Sequence, residues 1–290
     1  MKIYNLGSMN IDYVYRIPHF LQPGETLSSE SLDIFPGGKG LNQSVALGKA
    51  GAEVVHGAFQ GSGGEFLVET LKSAGVDVSG IRVTDAPAGH ASIQVDRNGE
   101  NCILLYAGTN RMVDEAYIEA FLSVAQPGDI LLLQNECSCL REAMEAGHRC
   151  GMEIAFNPSP FREELRQLPI ELVDWWFCNE LEGAALFGSE NPEEMADRFV
   201  KSYPGKNLIL TLGKEGSLYA RDDLRLVQNA YPAKAVDTTG AGDTFTGYFL
   251  AAIAAGAPVA EALDRASRAA AITVSRMGAA ASIPYRNELV

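Results

Sequence analysis

The sequence predicts an α/β fold: a three-layer, doubly wound, mostly parallel sheet with a small β-sheet lid. Three observations carry that reading. Short apolar runs bounded by Gly, Asp or Asn recur along the chain, as strands buried on both faces do. Segments of helical period separate them, and such alternation favours a parallel sheet between two helical layers. A third region alternates apolar with polar residues and belongs to a sheet with one dry and one wet face.

In chain order, the buried-strand candidates are "EVVHGAF", "GDILLLQ", "GMEIAF", "DWWFC" and "NLILTL". Helical period marks Gly40–Ala50, Glu65–Ala74, Asp114–Ala125 and Ser138–Gly151, and the chain closes with Thr244–Gly256 and Pro258–Met277 as consecutive helices. Asp12–Ile17 and Leu32–Phe35 read as extra strands near the start. His90–Tyr106 reads as a hairpin turning at Arg97-Asn98-Gly99-Glu100. In its first arm Ala91, Ile93 and Val95 alternate with His90, Ser92, Gln94 and Asp96. Such a flap covers a cleft, pairs with a second subunit, or is an ordinary edge hairpin. No repeat, low-complexity tract or linker divides residues 1–290, so one domain is expected, with its lid formed from about 12–18, 30–36 and 89–107.

Composition narrows the partners. The 290 residues are 47% hydrophobic and carry a formal net charge of −14, which disfavours nucleic acid and anionic membrane surfaces. The five cysteines form no regular framework and fit a reducing compartment, so the cytoplasm is the expected location. Cys137 and Cys139 have no histidine near them in sequence, too few groups for a zinc site. Asn5 and Asp12 interrupt the opening apolar run, so no signal peptide or leader is expected. No run of about 20 unbroken apolar residues suggests a membrane span.

"DTTGAGD", Asp237 to Asp243, stands at the mouth of the Ala-rich helix. Glycines let a backbone come close to a ligand, and a helix N-terminus offers free N–H groups to an anion. Taken alone, the stretch reads equally as a flexible turn capped by Asp243. No P-loop is present: "LGKEGS" lacks the hydroxyl residue and the spacing, and "GSGGEF" fails as a dinucleotide fingerprint. A second Gly-rich helix entrance lies in "FPGGKGLNQSVALGKAGAEV", and "GSMNID" sets Asn10 and Asp12 just after the first strand, where polar residues line the crevice of such sheets.

"GGKGLNQSVALGKAGAEV" and "DTTGAGDTFTGYF" together resemble the paired signatures of the PfkB-type carbohydrate kinases, the ribokinase family. The intervening blocks "LLLQNE", "FNPSP", "CNELEG", "TLGKEG" and "SRMGAAASIP" follow in the same order. The resemblance implies an ATP-dependent kinase that phosphorylates a hydroxymethyl group of a neutral sugar, ribose first among the acceptors. Asp243 would be the general base, and the N–H groups of Gly240, Ala241 and Gly242 the anion hole for the transferring phosphoryl. Asn10, Asp12, Gly38, Lys39, Asn42 and Glu136 would bind the sugar together with Asp243, a set suited to a polyol. Two carboxylates disfavour a sugar phosphate, although Lys39 offsets part of that repulsion. Asn179, Thr211 and Gly213 would contact ATP, and Glu182 would organise Mg²⁺ through water. Asp237, Thr239, Thr273, Arg276, Gly278 and Ser282 match the ring around a monovalent cation, K⁺, mostly through backbone carbonyls. A homodimer through the lid is implied as well.

Each residue also has an ordinary reading: Lys39, Asp12, Glu136 and Glu182 as caps or surface charges, Thr211 and Gly213 as a plain turn. His90 and Gln94 make the flap more polar than the family pattern, and Asn135 replaces a commonly apolar neighbour of Glu136. Fructose, a 2-keto-3-deoxy sugar acid or a nucleoside are the alternative acceptors. A sugar-binding regulator without catalysis would have no need of the base.

Overall fold

The computed structural model describes residues 1–289. The strands are β1 (Ile3–Leu6), β2 (Asn10–Arg16), β3 (Ser31–Gly37), β4 (Val54–Ser62), β5 (Ile81–Pro87), β6 (Gly89–Val95), β7 (Asn101–Tyr106), β8 (Ile130–Gln134), β9 (Glu153–Asn157), β10 (Trp175–Asn179), β11 (Asn207–Thr211), β12 (Ser217–Arg221) and β13 (Leu224–Gln228). The helices are α1 (Lys39–Lys49), α2 (Glu65–Ser73), α3 (Glu115–Leu122), α4 (Leu140–Arg149), α5 (Glu180–Phe187), α6 (Pro192–Ser202), α7 (Ala241–Ala254) and α8 (Val259–Val274).

Nine strands form the main sheet in the order β13-β12-β11-β10-β9-β8-β1-β4-β5. The strands from β11 to β5 run parallel, and β12 and β13 close one edge antiparallel. Alternate side chains of the central strands enter opposite cores. Ile3, Ile130 and Leu132 pack with Leu41 of α1, Leu71 of α2, Phe249 of α7 and Leu263 of α8. Tyr4, Leu131 and Leu133 pack with Phe121 of α3, Met144 of α4 and Phe199 of α6. Burial on both faces is why these strands are apolar without alternation. The result is the expected three-layer fold.

The order reverses between β1 and β8: the chain leaves β1 toward β4 on one side and returns to β8 on the other. Ligands of open α/β sheets bind beyond the strand ends at such a point. A separate four-stranded sheet, β3-β2-β6-β7, starts just past this end of β1, where β2 follows after Gly7, Ser8 and Met9. β2 pairs antiparallel with β3 and parallel with β6, and β6 pairs with β7 from His90↔Tyr106 to Val95↔Asn101.

Strand β5 and helices α5 and α6 were not marked in the sequence, and two further features differ from that reading. The hairpin β12–β13 was not anticipated; it turns at Asp222, whose φ of 46° lies in the left-handed region that Asp tolerates. The helix expected from Thr244 begins at Ala241, because Gly240 with φ 78° turns the chain early. Asp243 therefore lies inside the first helical turn. Among the described residues no helix is long and apolar enough to cross a membrane.

Candidate active site

The turn into α7 requires glycine. Gly240 is the N-cap in the left-handed region, and a Cβ there would come within 3.2 Å of Ala279. One turn on, Thr244 N closes on Gly240 O at 2.8 Å, leaving the earlier N–H groups outside the helical ladder. The N–H of Ala241 leans on Thr238 O at 3.3 Å. A Cβ at Gly242 would meet nothing within 4 Å, so that residue opens directly onto the cleft.

Asp243 is 7% exposed, and both carboxylate oxygens are held from α1. Asn42 Nδ2 donates to Oδ2 at 3.0 Å, and Gln43 Nε2 donates to Oδ1 at 2.9 Å. Adjacent residues of one helix reach one carboxylate because the two helices approach at backbone distance. A Cβ at Gly247 would lie 2.4 Å from the Cβ of Ala46 and 3.0 Å from Gln43 O. Gly40 likewise lets the start of α1 press on the β1–β2 link, where a Cβ would meet Ser8 N at 2.3 Å.

The start of α1 binds a carboxylate of the chain itself. Gly38 caps it with φ 93°, and Lys39 N donates to Glu136 Oε2 at 3.0 Å. Ser8 Oγ donates to the same oxygen and accepts from Gly40 N at 3.2 Å. Asn10 Oδ1 accepts from Asn110 Nδ2 at 2.8 Å, and Asn110 Oδ1 accepts from Met9 N at 3.1 Å. Asp12 lies over Gly37, where no Cβ would fit. Burial, and then the charge of Glu136, lift the Asp12 carboxyl to about 7. Burial alone would lower the Lys39 ammonium, but Asp243, Glu136 and Glu182 outweigh it, and it is held above the ordinary lysine value. Lys39 thus joins the two halves of the site.

A cleft of about 820 Å³ runs from Lys39 and Asp243 along the start of α7. Asn179 and Glu182 line it as the N-cap and N3 residues of α5, each side chain accepting from the other's backbone N–H. The second oxygen of Glu182 accepts from Ser159 Oγ. Asn157 also lines the cleft; Phe177 O holds its Nδ2 at 2.8 Å, while its buried Oδ1 has no partner. Thr211 Oγ1 reaches Cys178 O at 3.4 Å, and Gly213 turns with φ 53°. At the far end Tyr231, Pro232, Ala233, Ala270, Ala271 and Val274 form a largely apolar wall.

The loop before α7 docks on the end of α8. Asp237 accepts from Thr239 N at 2.9 Å and Gly278 N at 3.0 Å. Burial pushes its carboxyl up, but these hydrogen bonds and the charge of Arg16 win, and it is held below the ordinary aspartate value. Thr273 Oγ1 meets Thr244 Oγ1 at 3.1 Å, and Ser282 Oγ donates to Ala279 O at 2.7 Å. The Arg276 side chain turns away, to Glu288 at 2.7 Å. Asn135 also turns away from the site, donating to Pro160 O at 2.6 Å.

The model of the pfkB family carbohydrate kinases matches residues 2–286. The chain belongs to that family. This pfkB kinase is 34% identical to the ribokinase of Haemophilus influenzae over 98% of its length and 95% of the relative's. A ribokinase structure from Cryptococcus neoformans, in complex with ADP, superposes with a TM-score of 0.89 at 31% identity, covering 99% of this chain and 98% of that one. The Arabidopsis thaliana ribokinase complexed with ribose and ATP superposes with a TM-score of 0.85 at 28% identity, covering 99% and 97%.

The sequence reading of this pfkB kinase did not single out Ser8, Gln43, Asn110, Asn157 or Ser159. "NQ" follows "GGKGL" directly, so Gln43 was visible beside Asn42. Nothing in helical spacing indicates that neighbours one residue apart share a target.

Proposed function

We propose that this kinase transfers the γ-phosphoryl group of ATP to the hydroxymethyl hydroxyl of D-ribose. The observation that carries the chemistry is the Asp243 carboxylate, held by two amides in the first turn of α7 beside the opening at Gly242. Asp243 takes the proton of the attacking hydroxyl, which raises its nucleophilicity where the acceptor already lies in line. The N–H groups at Gly240, Ala241 and Gly242, at the positive end of α7, receive the charge of the transferring phosphoryl. Lys39 adds a cation between phosphoryl and sugar. Asn10, Asp12, Gly38, Lys39, Asn42 and Glu136 hold the sugar hydroxyls. Residues 1–290 form one kinase domain, with the four-stranded sheet as its lid.

The acceptor assignment rests on the similarity to ribokinases over nearly the whole chain. Alternation along β2 supports a small acceptor too. It sets Tyr13 on the face opposite Asp12, so the rings of Tyr13, His90 and Tyr106 do not share the face that would hold a nucleobase.

Asn179, Thr211 and Gly213 contact the nucleotide. The orphaned Asn157 Oδ1 beside Glu182 fits a hydrated divalent cation, since Mg²⁺ keeps much of its water and needs few protein ligands. Bound there with the triphosphate, Mg²⁺ would neutralise phosphate charge. The ionised Asp237 and the loop ends carrying Thr239, Thr273, Arg276, Gly278 and Ser282 suit K⁺, with Arg276 contributing only its backbone. The kinase acts in the cytoplasm, consistent with its five free cysteines. A dimer forms through the lid, whose edge strand β7 is exposed along its length and carries Ile103, Leu104, Leu105 and Tyr106.

The test is ADP release from Mg·ATP with K⁺ present, across ribose, fructose, 2-keto-3-deoxygluconate and several nucleosides. Ribose should give the highest kcat/KM. A higher value with another acceptor would overturn the ribose assignment, and turnover with none would overturn the kinase reading of the site.

A further inference from the structure

We infer that Gln43 is a positioning residue for the base, and that a buried chain of side chains behind it fixes its orientation. The inference rests on the reading of Asp243 as the base. Gln43 is fully buried, and its two amide ends have different partners: Nε2 donates to Asp243 Oδ1 at 2.9 Å, and Oε1 accepts from Gln134 Nε2 at 2.8 Å. An amide can be flipped by a half-turn, so something must specify which end faces the carboxylate. Gln134 does so. Its Nε2 donates both to Gln43 and to Asn5 Oδ1, the latter at 2.9 Å, and an N–H group can face only an acceptor.

Asn5 is locked in the same way. Its Nδ2 donates to Gly40 O at 2.8 Å and to Ser44 Oγ at 2.7 Å, which leaves its oxygen toward Gln134. Ser44 Oγ, having accepted from Asn5, also meets His56 Nδ1 at 2.8 Å. His56 ends the chain uncharged, because complete burial holds the imidazole down at about 3. Flipping Gln43 or Asn5 would bring like atoms together at both ends, and flipping Gln134, whose own Oε1 has no partner, would set that oxygen against those of Gln43 and Asn5. The chain therefore has one low-energy arrangement, and in it a donor faces Asp243.

This matters for a base. An N–H donor on a carboxylate oxygen fixes the rotamer of the carboxylate and stabilises its charged form.

The test compares wild type, Asp243→Asn, Gln43→Met and Gln134→Met by single-turnover phosphoryl transfer to ribose as a function of pH, with ribose and Mg·ATP affinities from calorimetry. Gln43→Met keeps the volume and removes the donor. Its single-turnover rate should fall about ten- to a hundredfold, with both affinities within about threefold of wild type. The acid limb of its profile should move to higher pH. Gln134→Met frees the Gln43 amide to flip and should move the limb the same way by less; it carries the test if Gln43→Met does not fold. An unmoved acid limb in a folded Gln43→Met protein, with Asp243→Asn inactive, would overturn the positioning role alone. Asp243→Asn active within a few fold of wild type would overturn the base reading and the positioning role with it.

Discussion

Asn42 Nδ2 donates to Asp243 Oδ2 at 3.0 Å, a contact that spans 201 residues of sequence and ties α1 to α7 inside the site. It joins the two Gly-rich entrances that the sequence reading treated as separate motifs. Replacing the donor with a second carboxylate should expose the contact through pH. In Asn42→Asp two acids face each other and one retains its proton, so the native state binds a proton that the unfolded chain releases. Stability should then fall as pH rises above the ordinary carboxylate range. Thermal melts of Asn42→Asp should approach wild type at pH 5 and fall several degrees short at pH 8. Asn42→Ala should lose about 1.5–3 kcal/mol at both. Equal losses for Asn42→Asp at the two pH values would count against an ionised Asp243 at that distance.

Gly242 and Gly240 stand two residues apart and should respond in opposite ways. At Gly242 a methyl group meets open cleft, and alanine favours a helix over glycine by up to about 1 kcal/mol. Gly242→Ala should therefore be as stable as wild type or more so, yet turn over about a hundredfold more slowly, because its Cβ occupies the phosphoryl's place. Gly240→Ala should lose about 1–2 kcal/mol of stability from its left-handed backbone. Melting curves and kcat for the pair check this; an active Gly242→Ala would place the phosphoryl elsewhere.

Two buried groups push the pH dependence of stability in opposite directions. Asp12, lifted from 3.8 to about 7, keeps a proton that the unfolded chain loses, so its contribution falls as pH rises through that window. His56, held at about 3 against 6.5, refuses a proton that the unfolded chain takes, so its contribution rises with pH between those values. Their slopes nearly cancel from about pH 4 to 6.5. Asp12→Asn should remove the falling slope, and its stability relative to wild type should grow by roughly 1.4 kcal/mol per pH unit at most over that interval. Urea unfolding at pH 4.5 and 6.5 measures it. A pH-independent difference would mean that Asp12 ionises normally.

The lid edge gives a prediction about assembly. Leu104 is 74% exposed, so a charge there leaves the subunit's own core untouched. On the proposed lid dimer, Leu104→Lys should lower the sedimentation coefficient from that of a dimer to that of a monomer, with an unchanged melting curve at low protein concentration. Identical sedimentation of the two proteins would remove β7 from the interface.

Much of this was legible in the sequence, for a physical reason. Strands such as Ile130–Gln134 feed two cores and so read as unbroken apolar runs, and α7 advertises its entrance with glycines. Of the residues proposed for sugar and phosphate, Gly38, Lys39 and Asn42 lie at one glycine-rich entrance and Gly240 to Asp243 at the other. The residues that orient them do not. Gln134 looks like the polar end of a strand, and Asn5 like an interruption of one. Their task appears only when β1, β8 and α1 converge. The β12–β13 hairpin was missed because its alternation is weak and its turn is made by aspartates rather than glycine.

The role of Asp243 as base is measured most directly by phosphoryl transfer from Mg·ATP to ribose by Asp243→Asn in a single turnover, with ribose binding measured on the same sample. Asparagine keeps the size and can still meet α1 but cannot take a proton. Ribose affinity should stay within a few fold of wild type, and the transfer rate should fall by about 10²–10⁴, the range a general base supplies. A rate within tenfold of wild type, on a protein that binds ribose normally, would contradict it.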